Sequence, residues 1–260
     1  MSTPPKPDPR DGGHVTVEIA DGVGTVSFFH PKSNSLPGVI LRRLAADIET
    51  LGANPAVTVI VLRSDGTGPF CAGASFDELT AVKDMEGGRE FFSGFAKVIL
   101  ATMRAPKFVL TRVHGKTAGG GIGIVAASDY SFAVKTASAK LSELALGIGP
   151  FVVGPVIEKK IGLAAFTAMS VDADWRTAEW CERHGLYSQL YDTVAEMDTA
   201  IAKLAKTLAA SNPAAMAKIK QVVWAGTEHW DALLATRAGI SGDLVLSDFT
   251  RRAIERLKAK

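Results

Sequence analysis

The sequence predicts an α/β fold with an α-helical C-terminal region, and three observations carry that prediction. Two alternating runs flank Asp21-Gly22, short β-branched runs then alternate with segments of helical spacing, and beyond Val152 only helical spacing remains.

Taken in order, HVTVEIA (14–20) and VGTVSFF (23–29) around the Asp-Gly pair predict an antiparallel hairpin. Residues 39–51 place Ile40, Leu44, Ile48 and Leu51 on one helical face, and Asn54-Pro55 ends that helix. The run VTVIVLRS (57–64) is nearly unbroken in β-branched residues, as a central strand covered on both faces requires. A glycine-rich loop (65–74) follows, then a helix over 86–103 closed by Pro106, a buried strand in KFVLTRVHG, a glycine loop feeding a tightly packed helix in AGGGIGIVAASD, and a short strand in YSFAVKT. The remainder predicts helices at 155–161, 163–169, 177–184, 194–210, 213–223 and 244–257, with Asn212-Pro213 as a cap junction. A division near 195 is expected, with an α/β core over 14–195 and a helical region over 196–260. The first 13 residues hold four prolines and no apolar run, and are expected to be a disordered head.

Composition excludes several functions. With 29 Lys+Arg against 27 Asp+Glu the formal charge is +2, which fits neither a solvating acidic chain nor a broadly basic nucleic-acid binder. The two cysteines cannot staple a scaffold or fill a thiolate metal site, and the five histidines lack paired ligand spacing, so no metal is expected. No basic region followed by an apolar run opens the chain, and no apolar stretch approaches the roughly 20 residues that span a bilayer. A cytoplasmic protein without membrane or nucleic-acid partners is expected. Basic residues at the end of the chain are read either as a solvated helix face or as a contribution to binding a phosphorylated ligand or a neighbouring subunit.

Gly119 to Gly123 lacks the spacing of a dinucleotide fingerprint, and no phosphate loop or serine-esterase elbow is present. What remains is a pair of glycine-rich turns, Phe70-Cys71-Ala72-Gly73-Ala74 and the segment 115–121, each after a buried strand. Such turns can aim two free N–H groups at one point and stabilise an enolate; equally, the glycines can serve only close packing. Glu143 stands among Leu141, Leu144, Leu146 and Ile148. A weakly hydrated carboxyl there would titrate high enough for proton transfer, or Ser142 would cap a helix with Glu143 supporting its first turn. Cys71 lacks an adjacent base and reads as a small neutral residue.

HPKSNSL, FCAGASFDEL and RVHGKTAGGGIGIVAASDYSFA, in this order and spacing, resemble the enoyl-CoA hydratase/isomerase (crotonase) superfamily over nearly all of the chain after the head. The resemblance implies a spiral of ββα turns, C-terminal helices that support a homotrimer or dimer of trimers, and an acyl-CoA thioester as substrate, with coenzyme A arriving as part of that substrate and no separate cofactor. It implies that Ala74 and Gly120 N–H groups form an oxyanion hole and that Glu143 is the acid/base. Coenzyme A is expected to pass Cys71, Ala72, Gly73 and Ser75, and the acyl group to reach Phe76, Leu79, Phe95, Gly123 and Phe151. The family's two-carboxylate hydratases carry a glutamate where this chain has Gly123, so three outcomes are implied: hydration or a specialised lyase step such as a retro-aldol cleavage with Glu143 alone, isomerisation of 3-enoyl to 2-enoyl thioesters without water, or acyl-CoA binding without turnover.

Overall fold

The computed structural model describes residues 12–258; of the expected disordered head, residues 1–11 lie outside the described residues. Strands β1 (His14–Ala20) and β2 (Val23–Phe29) pair antiparallel about Asp21 and Gly22, both at positive φ (50° and 79°) as a tight hairpin turn demands. A repeating unit of long strand, short strand and helix follows. Its first turn is β2, β3 (Ser35–Leu36) and α1 (Gly38–Ala53); its second is β4 (Val59–Ser64), β5 (Gly73–Ala74), α2 (Phe76–Ala81) and α3 (Met85–Arg104). The third is β6 (Phe108–Val113), β7 (Thr117–Ala118) and α4 (Gly120–Ala127). The fourth is β8 (Tyr130–Val134), β9 (Ser138–Lys140), a 3-10 turn (Leu144–Leu146), α5 (Gly154–Ile161) and α6 (Leu163–Asp172). Then come β10 (Arg176–Thr177), α7 (Ala178–Arg183), β11 (Gln189–Tyr191), α8 (Val194–Ala209), α9 (Pro213–Val223), α10 (Trp230–Val245) and α11 (Asp248–Lys258).

The long strands form one sheet in the order β1-β2-β4-β6-β8-β11, parallel from β2 onward. The short strands make a second rank: β3 pairs with β5, β7 with β9, and a bridge from Cys71 to Thr117 joins the two pairs. Each turn of chain therefore advances one strand in both ranks, which is a spiral. The parallel strands are covered on both faces, so Val59, Ile60 and Leu62 are buried alike, as the unbroken apolar run of β4 requires. Helices start where side chains cap them: Asp84 accepts from Gly87 N (2.8 Å), and Thr193 and Glu196 form a capping box on α8.

Three features depart from the sequence reading. Strands do not cease at Val152, because β10 pairs with β9 and β11 adds to the edge of the main sheet. Both are too short to carry a period-two pattern. A helix over 230–245 was not expected, and the helix expected over 244–257 is interrupted at Leu246-Ser247, where Ser247 Oγ accepts from Thr250 N (3.3 Å) and starts α11. The expected division at 195 falls inside α8, whose Met197, Ile201 and Ala205 belong to the same apolar core as Val26, Ile60 and Val109; so do Trp230, Leu234 and Ala238 of α10. Among the described residues no helix is long and apolar enough to cross a membrane.

Candidate active site

The second-rank strands end where α2 and α4 begin, and both glycine turns sit there. Ser75 N donates to Leu36 O (3.0 Å), so the alternation along β5 turns the Ala74 N–H to the other side of the strand. Gly73 stands at φ 97°, and a methyl group on it would lie 3.3 Å from Ala118 O and 3.9 Å from Gly120 N. The backbones of the two turns therefore abut. Gly119, at φ 51°, precedes α4, and Gly120 opens the helix, where its N–H has no intrahelical acceptor.

The two roles open to the glycines divide by position. Gly73, Gly119 and Gly120 line a cavity of about 840 Å³. Gly121 and Gly123 do not line it and serve packing: a methyl at Gly121 would meet Cys71 Cβ at 2.7 Å, and one at Gly123 would meet Val153 Cγ1 at 2.7 Å and Ile99 Cδ1 at 3.0 Å.

Glu143 faces this junction. A methyl on Gly119 would stand 3.2 Å from its Oε1. Its backbone carbonyl accepts from Leu146 N (3.0 Å) and Ile148 N (3.1 Å), which fixes the loop that carries it. It is itself the N-cap of the 3-10 turn and no side-chain bond caps that turn, so the capping role considered for Ser142 is not taken up. Oε2 is sealed from solvent and has no hydrogen-bond partner among the described residues. Burial pushes the carboxyl up to about 7, against the opposing pull of the Glu143 and Ser142 backbone N–H groups. Among the described residues that line the cavity it is the one carboxylate. Such a group can take a proton from a carbon acid and give it back near neutral pH.

Of the residues singled out in the sequence, Ala72, Gly73, Ala74, Phe76, Leu79, Phe95, Gly120, Glu143 and Phe151 come together on the cavity wall. Three do not. Cys71 is fully buried under Gly121, its thiol pushed up to about 12 by desolvation. Ser75 is buried and caps α2, accepting from Glu78 N (3.3 Å). Gly123 lies beneath Val153, and it is Val153 that reaches the cavity. Sequence reasoning missed Phe91 and Phe92, which share with Phe95 one face of α3; their helical spacing was the available signal. It also missed Ser241 and Ala253, which α10 and α11 bring over the cavity.

The family model for enoyl-CoA hydratase/isomerase matches residues 18–246. The chain is 30% identical over 151 residues to the bacillaene synthase dehydratase PksH of Bacillus subtilis, covering 57% of each chain. It is 29% identical over 199 residues to the mitochondrial methylglutaconyl-CoA hydratase of Rattus norvegicus, covering 75% of this chain and 63% of that one. The chain thus spans about three-fifths of the length of these two relatives. Among solved structures, an enoyl-CoA hydratase from Bacillus halodurans superposes with a TM-score of 0.86 at 19% identity, covering 93% of this chain and 99% of the other, a likeness of fold. A family model that runs from the first hairpin to the end of α10, over a spiral whose two glycine turns meet at one half-buried glutamate, places this chain in the enoyl-CoA hydratase/isomerase family.

Proposed function

We propose that the protein moves the double bond of an enoyl-CoA thioester, with Glu143 as the single acid/base and the Ala74 and Gly120 N–H groups as the oxyanion hole. The thioester oxygen lies between the two N–H groups, which lowers the cost of the negative charge that develops there. The Glu143 carboxylate takes a proton from C2 of a 3-enoyl thioester; the C–H electron pair passes into the enolate, conjugated with the C3–C4 double bond. The same carboxyl returns its proton to C4, leaving a 2-enoyl thioester and a regenerated carboxylate. One carboxylate suffices, and no water is consumed.

The observation that carries this reading is the filling of the space beside Gly123. Val153 and Ile99 stand where a side chain at that position would project, and among the described residues that line the cavity no second carboxylate accompanies Glu143 to position water. The name of one relative, a peroxisomal dienoyl-CoA isomerase of Arabidopsis thaliana, 24% identical over 191 residues, accords with it. Hydration is the second reading, favoured by the methylglutaconyl-CoA hydratase relatives. Assembly as a homotrimer or dimer of trimers is part of the same proposal, and the molecular mass in solution is the measurement that tests it.

The test is turnover of matched 2-enoyl and 3-enoyl thioesters in heavy-oxygen water, followed by mass. Interconversion of the isomers without oxygen uptake is the expected result. Uptake of one heavy oxygen into a 3-hydroxyacyl product would replace isomerisation by hydration, and binding without either reaction would leave an acyl-CoA-binding protein.

A further inference from the structure

Five of the chain's 12 phenylalanines, Phe76, Phe91, Phe92, Phe95 and Phe151, line the cavity that holds Glu143. Only Phe95 is buried; the other four are half-buried, so their rings keep surface open to the cavity. Open apolar surface of this kind is stabilised by an apolar ligand that displaces water from it. The question is which shape of acyl group makes use of it.

A narrow path for a straight chain directly behind the oxyanion donors is closed. The Phe95 ring abuts Gly120, where an added methyl would meet three of its carbons at 2.4 to 2.5 Å, and Val153 with Ile99 blocks the way past Gly123. The space left lies to the side, between α2, α3 and the segment around Phe151. Its aromatic wall is fixed in place. α3 touches α10 backbone to backbone, since a methyl on Gly88 would lie 2.7 Å from Gly242 Cα, and on its other flank a methyl on Gly94 would lie 2.8 Å from Leu41 Cδ1. The Phe91 and Phe92 rings meet edge to face, centroids 5.0 Å apart at 85°, so this corner offers an aromatic guest an edge beside a face. The remaining lining includes small groups, Ala145, Gly149, Ser241 and Ala253, which take little of its width.

We propose that the acyl group is cyclic, an aromatic or alicyclic ring carried near the γ-carbon, seated between Phe91, Phe92 and Phe151, and that these three side chains set the specificity. This rests on the acyl-CoA reading given above. A ring in such a chamber contacts aromatic faces and edges on several sides, whereas a straight chain of equal carbon number leaves part of the width to water.

The experiment compares 4-phenylbut-3-enoyl-CoA with dec-3-enoyl-CoA, which have equal acyl carbon number, and in parallel measures by calorimetry the binding of their saturated counterparts, 4-phenylbutanoyl-CoA and decanoyl-CoA. The phenyl member of each pair is expected to be favoured by about ten-fold, in kcat/KM and in Kd. In the Phe91→Leu/Phe92→Leu double variant that preference is expected to fall to about two-fold or less, the loss lying on the phenyl member. Equal or better performance of the straight chains, a preference untouched in the variant, or failure of both saturated thioesters to bind overturns the proposal. Failure of the catalytic reading looks different: the phenyl thioester binds more tightly, yet neither 3-enoyl thioester is converted to its 2-enoyl isomer.

Discussion

Glu143 combines a sealed oxygen with a raised pKa, and the two have opposite consequences for activity and stability. As a base it must be ionised, so kcat/KM for C2 proton removal is expected to rise with pH and level off above about 7. Glu143→Gln keeps the shape and removes the base. We expect a loss of kcat of about 10³-fold with binding of a saturated acyl-CoA within about three-fold of the parent; unchanged turnover would remove Glu143 from the mechanism. For stability, the folded pKa lies above the ordinary 4.5, so the folded state holds the extra proton and loses stability as pH rises from 4.5 through about 7. The Gln variant escapes that loss, so its stability relative to the parent should climb across this window, by about 3 kcal/mol at pH 8, seen as a rising difference in melting temperature. A flat difference between pH 5 and pH 8 would contradict the burial. Gly123 supplies the packing counterpart: Gly123→Ala pushes a methyl into Val153 and should cost about 1–3 kcal/mol in urea unfolding.

At the scale of the element, α9 is tied down by one buried lysine. Lys220 Nζ donates to Asp129 Oδ2 (2.7 Å), Thr102 O (2.7 Å) and Lys107 O (2.8 Å), which uses all three ammonium protons and lets a cation sit at 3% exposure. Desolvation lowers its pKa and the Asp129 carboxylate opposes that. Lys220→Met removes the cation and leaves Asp129 with the Val109 N–H and the field of Lys160; the expected cost is about 3–5 kcal/mol in urea unfolding, and a loss under about 1 kcal/mol would show that the pair is solvated. This clamp was not legible in the sequence, where Lys220 looks like any surface lysine of an amphipathic helix. α10 was illegible for a related reason. Its buried stripe is written in Trp230, Leu234, Ala238, Ser241 and Gly242, and the small residues at its end are there so that the backbone can meet Gly88 of α3. The opening hairpin was legible from its alternation around Asp21-Gly22, and β4 and β6 because long strands buried on both faces must be apolar nearly throughout. The short strands were legible only through the motifs that resemble the family, since two residues carry no period. At the site, the glycine turns and Glu143 could be read from residue chemistry, whereas the inward turn of Cys71 and Ser75 depends on β5 and the α2 cap.

The whole molecule divides its apolar side chains between a large core and a small cluster of Leu79, Ile148, Val245 and Ile254. The small cluster joins α2, the loop after Glu143, α10 and α11, so α11 rests on the site and, among the described residues, adds no side chain to the large core. Its Phe249 and Thr250 press on Gly147, where a methyl would lie 2.4 Å from the Phe249 ring, while Ala253 and Arg256 reach the cavity. The helix is thus a cover built on the same turn that presents Glu143. A chain ending at Leu246 should retain the far-ultraviolet circular dichroism of the spiral less one helix, because the core under the main sheet is untouched. KM for an acyl-CoA should rise by about ten-fold as the cavity loses a wall. Water should also reach Glu143, and a better-hydrated carboxyl returns toward its ordinary range. The pH at which kcat/KM reaches half its plateau should therefore fall below about 7 in the shortened chain. A shortened protein that folds, binds and titrates as the parent does would show that the sealing of Glu143 comes from α2 and the loop around Phe151 alone, with α11 a bystander.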